Sequence, residues 1–408
     1  MQLNQELREK ALRLLGSEDL LCRFLDVTER SGLVGEERNA MAVMVTGVSR
    51  LLDLPLNLLV KGSSSSGKNY TVDRSLRTLP GDAVRTLTSS SEHAWNYAEN
   101  YFQHSVVYVK ERNAASGAVY PARLLISEGK LERIVSVRQG NRWVQQKFVA
   151  KGPIACISTT TKNQLEIDEE TRHISIWTDE SPQQTRRIVS ASASGLALVA
   201  ESELDLWRTA HRLIEERSKA TIVLPAWFDQ LASKVYVGDL RVRRYFRAFR
   251  TICETIALVR SFLPERDLRL QKTGKIDVDF TDYAITARIF EPIFARSLSS
   301  GDEQANQTRA MVKKILARTR GKGVAAPEFA KEAEVPLDRA YAELREAAKQ
   351  GTIVRANKPE SANRKLYRPS SLPRFLPHPK QVFRTINEVG DSFAYIDPLN
   401  GEWVRGSR

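Results

Sequence analysis

The residues best suited to chemistry in this chain are Gly62, Ser63, Ser64, Ser65, Ser66, Gly67, Lys68 and Asn69, with Tyr70 directly after them. A glycine, four intervening residues, then Gly-Lys is the spacing of a phosphate-binding loop. Each part has a physical role. The glycines let the backbone fold into a nest whose N–H groups face phosphate oxygens, and the lysine sets an ammonium between the terminal phosphates. The next position ordinarily carries a Ser or Thr hydroxyl for Mg²⁺, and here it is Asn69, whose amide oxygen is a weaker ligand. ATP and Mg²⁺ are the cofactors this loop implies, with Asn69 and Glu111 as the metal-side residues.

Hydrolysis also needs a carboxylate at a neighbouring strand end to orient water. The apolar run Ser105–Val109 is followed by Lys110 and Glu111. The usual pair is Asp-Glu, so Glu111 is the candidate that polarises water while Lys110 stands where an aspartate would support the metal.

Elements must hold these groups in place. A strand of 56–60 leads into the loop and a helical stretch of 70–79 leaves it. Further strand-length runs at Val84–Leu87, Ser105–Val109, 153–158 and 173–177 alternate with helical or polar stretches, which predicts a mostly parallel α/β sheet. Residues 1–54 read as an N-terminal helical region, 55–190 as the α/β core, and 191–298 as an all-helical second domain. A polar linker then precedes a unit at 308–370 and a tail at 371–408. That tail closes in a hairpin over 393–404, with its turn at 397–401.

The 408 residues carry 62 Lys+Arg against 49 Asp+Glu, a net charge of +13, which points to an anionic partner. Three distant cysteines, Cys22, Cys156 and Cys253, exclude a disulfide framework or a local zinc cluster, and the five histidines show no metal spacing. Trp95, Trp177, Trp207 and Trp227 read as core. The polar start is no signal peptide, and the apolar stretch of 41–60 is interrupted by Arg50, Asp53 and Pro55, so a cytoplasmic, membrane-free protein is expected.

Two segments carry the basic excess. Residues 130–151 hold six basic and one acidic residue, with apolar-rich arms flanking Gln139-Gly140-Asn141, a hairpin pattern. Residues 308–370 hold fifteen basic and seven acidic residues. Three helical stretches there precede two short strands around a polar loop, the pattern of a winged helix. Helix 337–350 would be its recognition helix, offering Arg339, Arg345 and Lys349 to DNA, and the wing would offer Lys358, Arg364 and Lys365. Such modules also dock proteins.

The order of these parts, with 123–129, Gly152-Pro153 and the strand after it, Glu170-Thr171-Arg172 and 179–185, resembles AAA+ ATPases of the helicase-like branch carried by bacterial mobile elements and phages. Their core in turn looks like that of minichromosome-maintenance (MCM) helicases. The resemblance covers 35–290 and is strongest over 62–185. It implies an α/β P-loop AAA+ core with an all-helical lid and a C-terminal winged-helix domain. It implies a polar sensor at Thr160, with Thr159 as the alternative, and an arginine finger at Arg172 supplied to a neighbouring subunit. Arg244 would be the lid's sensor arginine, with Arg241 and Arg243 as alternatives, and 276–289 the lid's closing helix. The basic hairpin would enter a ring's central channel, with Arg138, Arg142 and Lys147 on phosphates and Trp143 stacked on a base. The implied function is an ATP-driven, DNA-translocating motor of helicase type, a homo-oligomer and most simply a hexamer, acting in DNA replication. Two rivals remain: an ATP-switched DNA-binding assembly protein, and an ATPase that remodels protein.

Overall fold

In the computed structural model the apolar runs of the first half of the chain are strands of one sheet. Residues 5–88, 95, 99–112, 116–162, 165, 167–194, 199–299, 303–319, 323–349, 352–356, 365–369, 374–386 and 392–407 are described. Three helices come first, α1 (Gln5–Leu15), α2 (Leu20–Arg30) and α3 (Glu37–Ser49), then β1 (Asn57–Lys61) and α4 (Lys68–Leu76). There follow β2 (Val84–Leu87), β3 (Ser105–Val109), β4 (Lys130–Gln139), β5 (Arg142–Lys151), β6 (Ile154–Thr160) and β7 (Ile174–Trp177). The sheet runs β2-β3-β6-β1-β7 with every pairing parallel. All residues of β3 and β6 are buried, which is why they read as unbroken apolar runs rather than alternating ones.

Helix α3 explains why residues 1–54 do not stand apart. Its residues are buried from Asn39 through Ser49, whatever their helical phase. A helix apolar on every side is a core helix, and α3 lies against β1 and β6. Gly47 lets it approach closely, since a Cβ there would sit 2.9 Å from Leu79 Cδ2. Below the sheet's other strands, Trp95, Phe102, Val107, Leu125, Leu131 and Ile154 form one apolar cluster that also anchors the base of the β4–β5 ribbon.

The chain divides into two compact units, one of 1–235, 240–293 and 376–408, the other of 236–239 and 294–375. Within the first, the region expected to be all-helical contains a short parallel pair, Thr221–Val223 with Lys275–Asp277. Its β-branched residues Thr221, Ile222, Val223 and Ile276 favour extended backbone, and Ile276 is buried there. The closing helix consequently begins at Phe280, not Ile276, and runs to Ser299. Its start is fixed by reciprocal bonds, Asp282 N–H to Asp279 Oδ1 and Asp279 N–H to Asp282 Oδ2, both 2.8 Å. Arg260 and Arg266 neutralise the pair, at 2.5 and 2.9 Å from Asp282, the buried member. The C-terminal residues are also part of this unit. Phe383 and Phe393 pack on Phe280 with ring centroids 5.1 and 4.9 Å away. The hairpin Ser392–Ile396 with Trp403–Ser407 then sets Asp397 on Arg288 at 2.6 Å.

The second unit contains helices Glu303–Thr319, Ala326–Ala333 and Leu337–Lys349, then antiparallel Ile353–Arg355 and Tyr367–Pro369. Its core is Val312, Ile315, Val324, Phe329, Ala340, Leu344 and Ile353. No helix among the described residues is long and apolar enough to cross a membrane.

Candidate functional site

A parallel sheet offers a crevice beyond the carboxyl ends of its strands. The loop after β1 opens there, beside the ends of β3 and β6. Gly67 takes φ +85° and Ser65 φ +64°, the turn that brings the backbone round to the N-terminus of α4. Gly62 is required by space: a Cβ would collide with the hydroxyls of Thr178 and Ser66. A cavity of about 480 Å³ results, lined by Ser64, Ser65, Gly67, Lys68, Asn69, Tyr70, Glu111 and Thr159–Thr161. Lys68 Nζ donates to the Ser63 carbonyl. Burial lowers its pKa, opposed by the charges of Glu180 and Glu111.

The site's inner wall is a hydrogen-bond junction. Asn69 Oδ1 accepts from Thr159 Oγ1 at 2.8 Å and from Tyr108 Oη at 3.2 Å. Thr159 Oγ1 in turn accepts the Glu111 N–H at 2.9 Å. Burial, reinforced by Asp73 and Glu111, pushes the Tyr108 phenol well above its usual pKa and keeps it a donor. Asn69 thus ties α4 to β3 and β6 and, through Thr159, orients the backbone of Glu111, which has φ +50°. Thr160 lines the same cavity, but its hydroxyl accepts the Lys162 N–H at 3.1 Å.

The donor set for Mg²⁺ does not fit as it stands. Both lone pairs of Asn69 Oδ1 are engaged. Lys110, in the aspartate's usual position, pairs with Asp73 at 2.8 Å and lies 5.3 Å from the centre of the Tyr108 ring. Among the described residues no cluster of three or more His, Cys, Asp or Glu could hold a metal.

Residues outside the expected set complete this end. Glu180 Oε1 accepts the Ser63 N–H at 2.5 Å, and Thr178 Oγ1 donates to Ser66 Oγ at 2.9 Å. The segment that carries them is held by Glu36, whose Oε1 accepts the Asp179 N–H at 2.8 Å. Burial raises the Glu36 pKa to about 7, against these hydrogen bonds. The Asp179-Glu180 pair was visible in the sequence, but nothing local says that it folds back on the loop.

Arg172 and Arg244 are elsewhere. They line a second cavity of about 620 Å³ together with Arg247, Thr171, Asn57, Ile154 and Ile174. Asn57, Ile154 and Ile174 begin β1, β6 and β7, so this cavity opens at the opposite edge of the sheet from the phosphate loop. Arg244 donates to Thr171 Oγ1, and Arg172 Nη1 to Ser127 Oγ at 2.5 Å. The helix Val242–Arg260 is pinned there by Thr251, whose hydroxyl donates to the Leu54 carbonyl at 3.0 Å. Arg241 and Arg243 do not line it; Arg247, one turn beyond Arg244, does.

The ribbon β4–β5 pairs Lys130 with Lys151 at its base and Gln139 with Arg142 at its tip, turning at Gly140 with φ +62°. Arg138 faces Trp143 across the strands, and Trp143 is 72% exposed. Lys147 is bound at 3.1 Å to Glu132, which also holds Lys130. In the second unit Arg339 pairs with Glu343 at 3.0 Å, and Arg345 and Lys365 are exposed. The Lys349 side chain, Lys358 and Arg364 lie outside the described residues.

No protein-family model matches the chain, and no curated protein does. Among solved structures the chain is similar to a full-length MCM homolog from Methanopyrus kandleri. The TM-score is 0.46 at 10% identity, over 73% of this chain and 63% of that one. It is also similar to a "putative ATPase" from Cytophaga hutchinsonii, with TM-score 0.37 at 12% identity, over 71% of this chain and 97% of that one. The chain therefore spans less than two thirds of the MCM homolog's length. Scores this low leave the functional reading to the site's own geometry, a mixed α/β fold with a parallel central sheet and a phosphate loop at its carboxyl edge.

Proposed function

We propose that this protein is a subunit of an oligomeric AAA+ ATPase that moves along DNA, a motor of MCM-like helicase type. One observation carries the reading: the chain has two half-sites at opposite edges of one sheet. Among the described residues that line it, the phosphate cavity has Lys68, Glu111 and Thr159 but no arginine to neutralise charge on a transferring phosphate. The second cavity has Arg172 and Arg244 but no phosphate loop. Placing the arginines of one copy against the phosphate loop of another completes both, and a ring repeats the contact around a closed cycle.

In such a site the nest and Lys68 bind the triphosphate and the Glu111 carboxylate orients water. Arg172 and Arg244 of the neighbour neutralise transition-state charge, for which the rigid guanidinium fork is suited. Thr159 is the better sensor than Thr160, because it alone connects Asn69 with Glu111. A divalent cation would need Asn69 to release Thr159 and Tyr108 before ligating, so no step is assigned to it. The exposed Arg138, Arg142 and Trp143 suit a strand's phosphates and bases, and the second unit supplies further basic surface as a winged helix. The sequence resemblance supports a mobile-element or phage setting.

The test is ATPase rate with and without single-stranded DNA for wild type, Lys68→Ala and Arg172→Ala. DNA stimulation lost in both variants supports the motor. Turnover indifferent to DNA and to Arg172 overturns it.

The engaged Asn69 oxygen, Lys110 in place of an acid and the Glu180 carboxylate on the loop favour a second reading, an ATP-switched DNA-binding protein with slow turnover. Unwinding of a forked duplex separates the two: a motor displaces the strand with ATP, and a switch only binds it.

A further inference from the structure

The residues that bracket the phosphate site on either side are both tied to the segment that carries Arg172. Lys61, the last residue of β1, directly precedes Gly62. It is fully buried and its ammonium is paired with Glu170. Arg112 directly follows Glu111, is 8% exposed, and holds Glu169 at 2.7 Å. Glu169 and Glu170 end the short helix Ile167–Glu170 and directly precede Thr171 and Arg172. The backbone continues the linkage, with Arg172 N–H on the Glu169 carbonyl and His173 N–H on the Glu170 carbonyl, both 3.1 Å. Thr171 then accepts from Arg244. Neither acid lines the phosphate cavity or the arginine cavity.

We propose that Glu169 and Glu170 are positioning residues. They form a two-pronged strut that sets the Arg172–Arg244 pair according to what one subunit's own phosphate loop and Glu111 are doing. The inference rests on the two-half-site reading above. Buried ion pairs contribute little net stability compared with apolar packing of the same volume, because desolvation offsets their attraction. Two adjacent ones, each reaching a residue one step from a nucleotide-facing group, instead fix a register between three segments. A shift of Gly62 or Glu111 when nucleotide binds moves Lys61 or Arg112. The paired carboxylates carry that shift to the arginines, which act on the neighbouring subunit. The strut thus links the site a subunit owns to the site it helps complete.

The experiment is subunit mixing. Glu170→Gln alone is expected to lower kcat about tenfold while binding of a fluorescent ATP analogue changes less than about threefold, because its own loop still binds. Mixed in equal amounts with Glu111→Gln, which binds nucleotide without turning it over and presents intact arginines, turnover should rise about fivefold above the mean of the two proteins alone. Arg172→Ala mixed with Glu111→Gln is the control, and it must also recover. If the control recovers and Glu170→Gln does not, Glu170 serves only its own phosphate loop and the strut is wrong. Wild-type turnover in Glu170→Gln overturns it as well. If the control itself fails, the shared site fails, and the strut with it. Where Glu170→Gln does not fold, Glu169→Gln on the more exposed pair is measured in the same way and decides by the same outcomes.

Discussion

The two edges of the central sheet hold opposite kinds of chemistry. At the carboxyl edge, short side chains and backbone groups interlock: Asn69, Thr159, Tyr108 and the Glu111 N–H form one junction over α4, β3 and β6. At the amino edge, Arg172, Arg244 and Arg247 line a cavity of about 620 Å³, contributed by a loop and a helix. The strands between are five to seven residues in β1 and β6, roughly 17–23 Å of extended chain. No side chain closes that distance, so the edges cooperate only through the fold or across two copies. On the proposed reading the difference is a division of labour: the interlocked edge recognises a ligand that arrives, and the long cations serve one that another subunit holds.

Arg172→Ala probes that division most sharply. Turnover should drop on the order of 1,000-fold, with ATP-analogue binding nearly unchanged, since a finger acts in the transition state. A loss of binding instead would mean that the arginine serves its own subunit, and the contrast between the edges would collapse. Lys68→Ala gives the mirror result, an ATPase loss of about 100-fold or more that follows weakened binding, read by titration with the analogue.

The phosphate edge should also respond to pH. The folded pKa of Glu36 is raised from 4.5 to about 7 chiefly by burial. Its contribution therefore favours the folded state fully below the unfolded value and is lost as pH rises through about 7. Glu36→Gln removes the cost of the buried charge. The variant should be more stable than wild type by about 2 kcal/mol near pH 8, with the gap closing near pH 4, measured by urea unfolding. A gap that persists at low pH would place the effect in packing.

The smallest expected effect is that of Asn69→Ala. It leaves the Tyr108 hydroxyl without its acceptor and loosens Thr159, at about 1–2 kcal/mol of stability by thermal melting. If Asn69 were chiefly a metal ligand, stability would hold and only the Mg²⁺ dependence of nucleotide binding would move.

Much of this was legible along the chain because it is contiguous. The loop of 62–69, the strand before it and the ribbon turning at Gly140 are each coded by spacing within about a dozen residues. The region of 191–298 was read less well: short β-branched runs at 221–223 and 275–277 are too brief for periodicity to distinguish from helix ends. Residues 1–54 look like a separate helical region because the burial of α3 on all sides depends on what covers it. For Glu180, Thr178, Glu36 and the Glu169–Glu170 pair nothing local named these partners, which lie 109 to 143 positions away along the chain or, for Glu169, 57.

The sequence by itself determined the phosphate loop, the strands that form a parallel sheet, the ribbon and the placing of positive charge on two segments. These follow from residue type and local spacing, which act over a few residues. Only the tertiary structure decided that Arg172 and Arg244 share a cavity at the edge away from Lys68. It alone showed that Thr159 rather than Thr160 joins Asn69 to Glu111, and that acids beside Arg172 reach Lys61 and Arg112. Parallel strands need crossover connections, so every neighbour across this sheet comes from a distant part of the chain. Which side chains meet is then fixed by strand order and register, which local spacing does not encode.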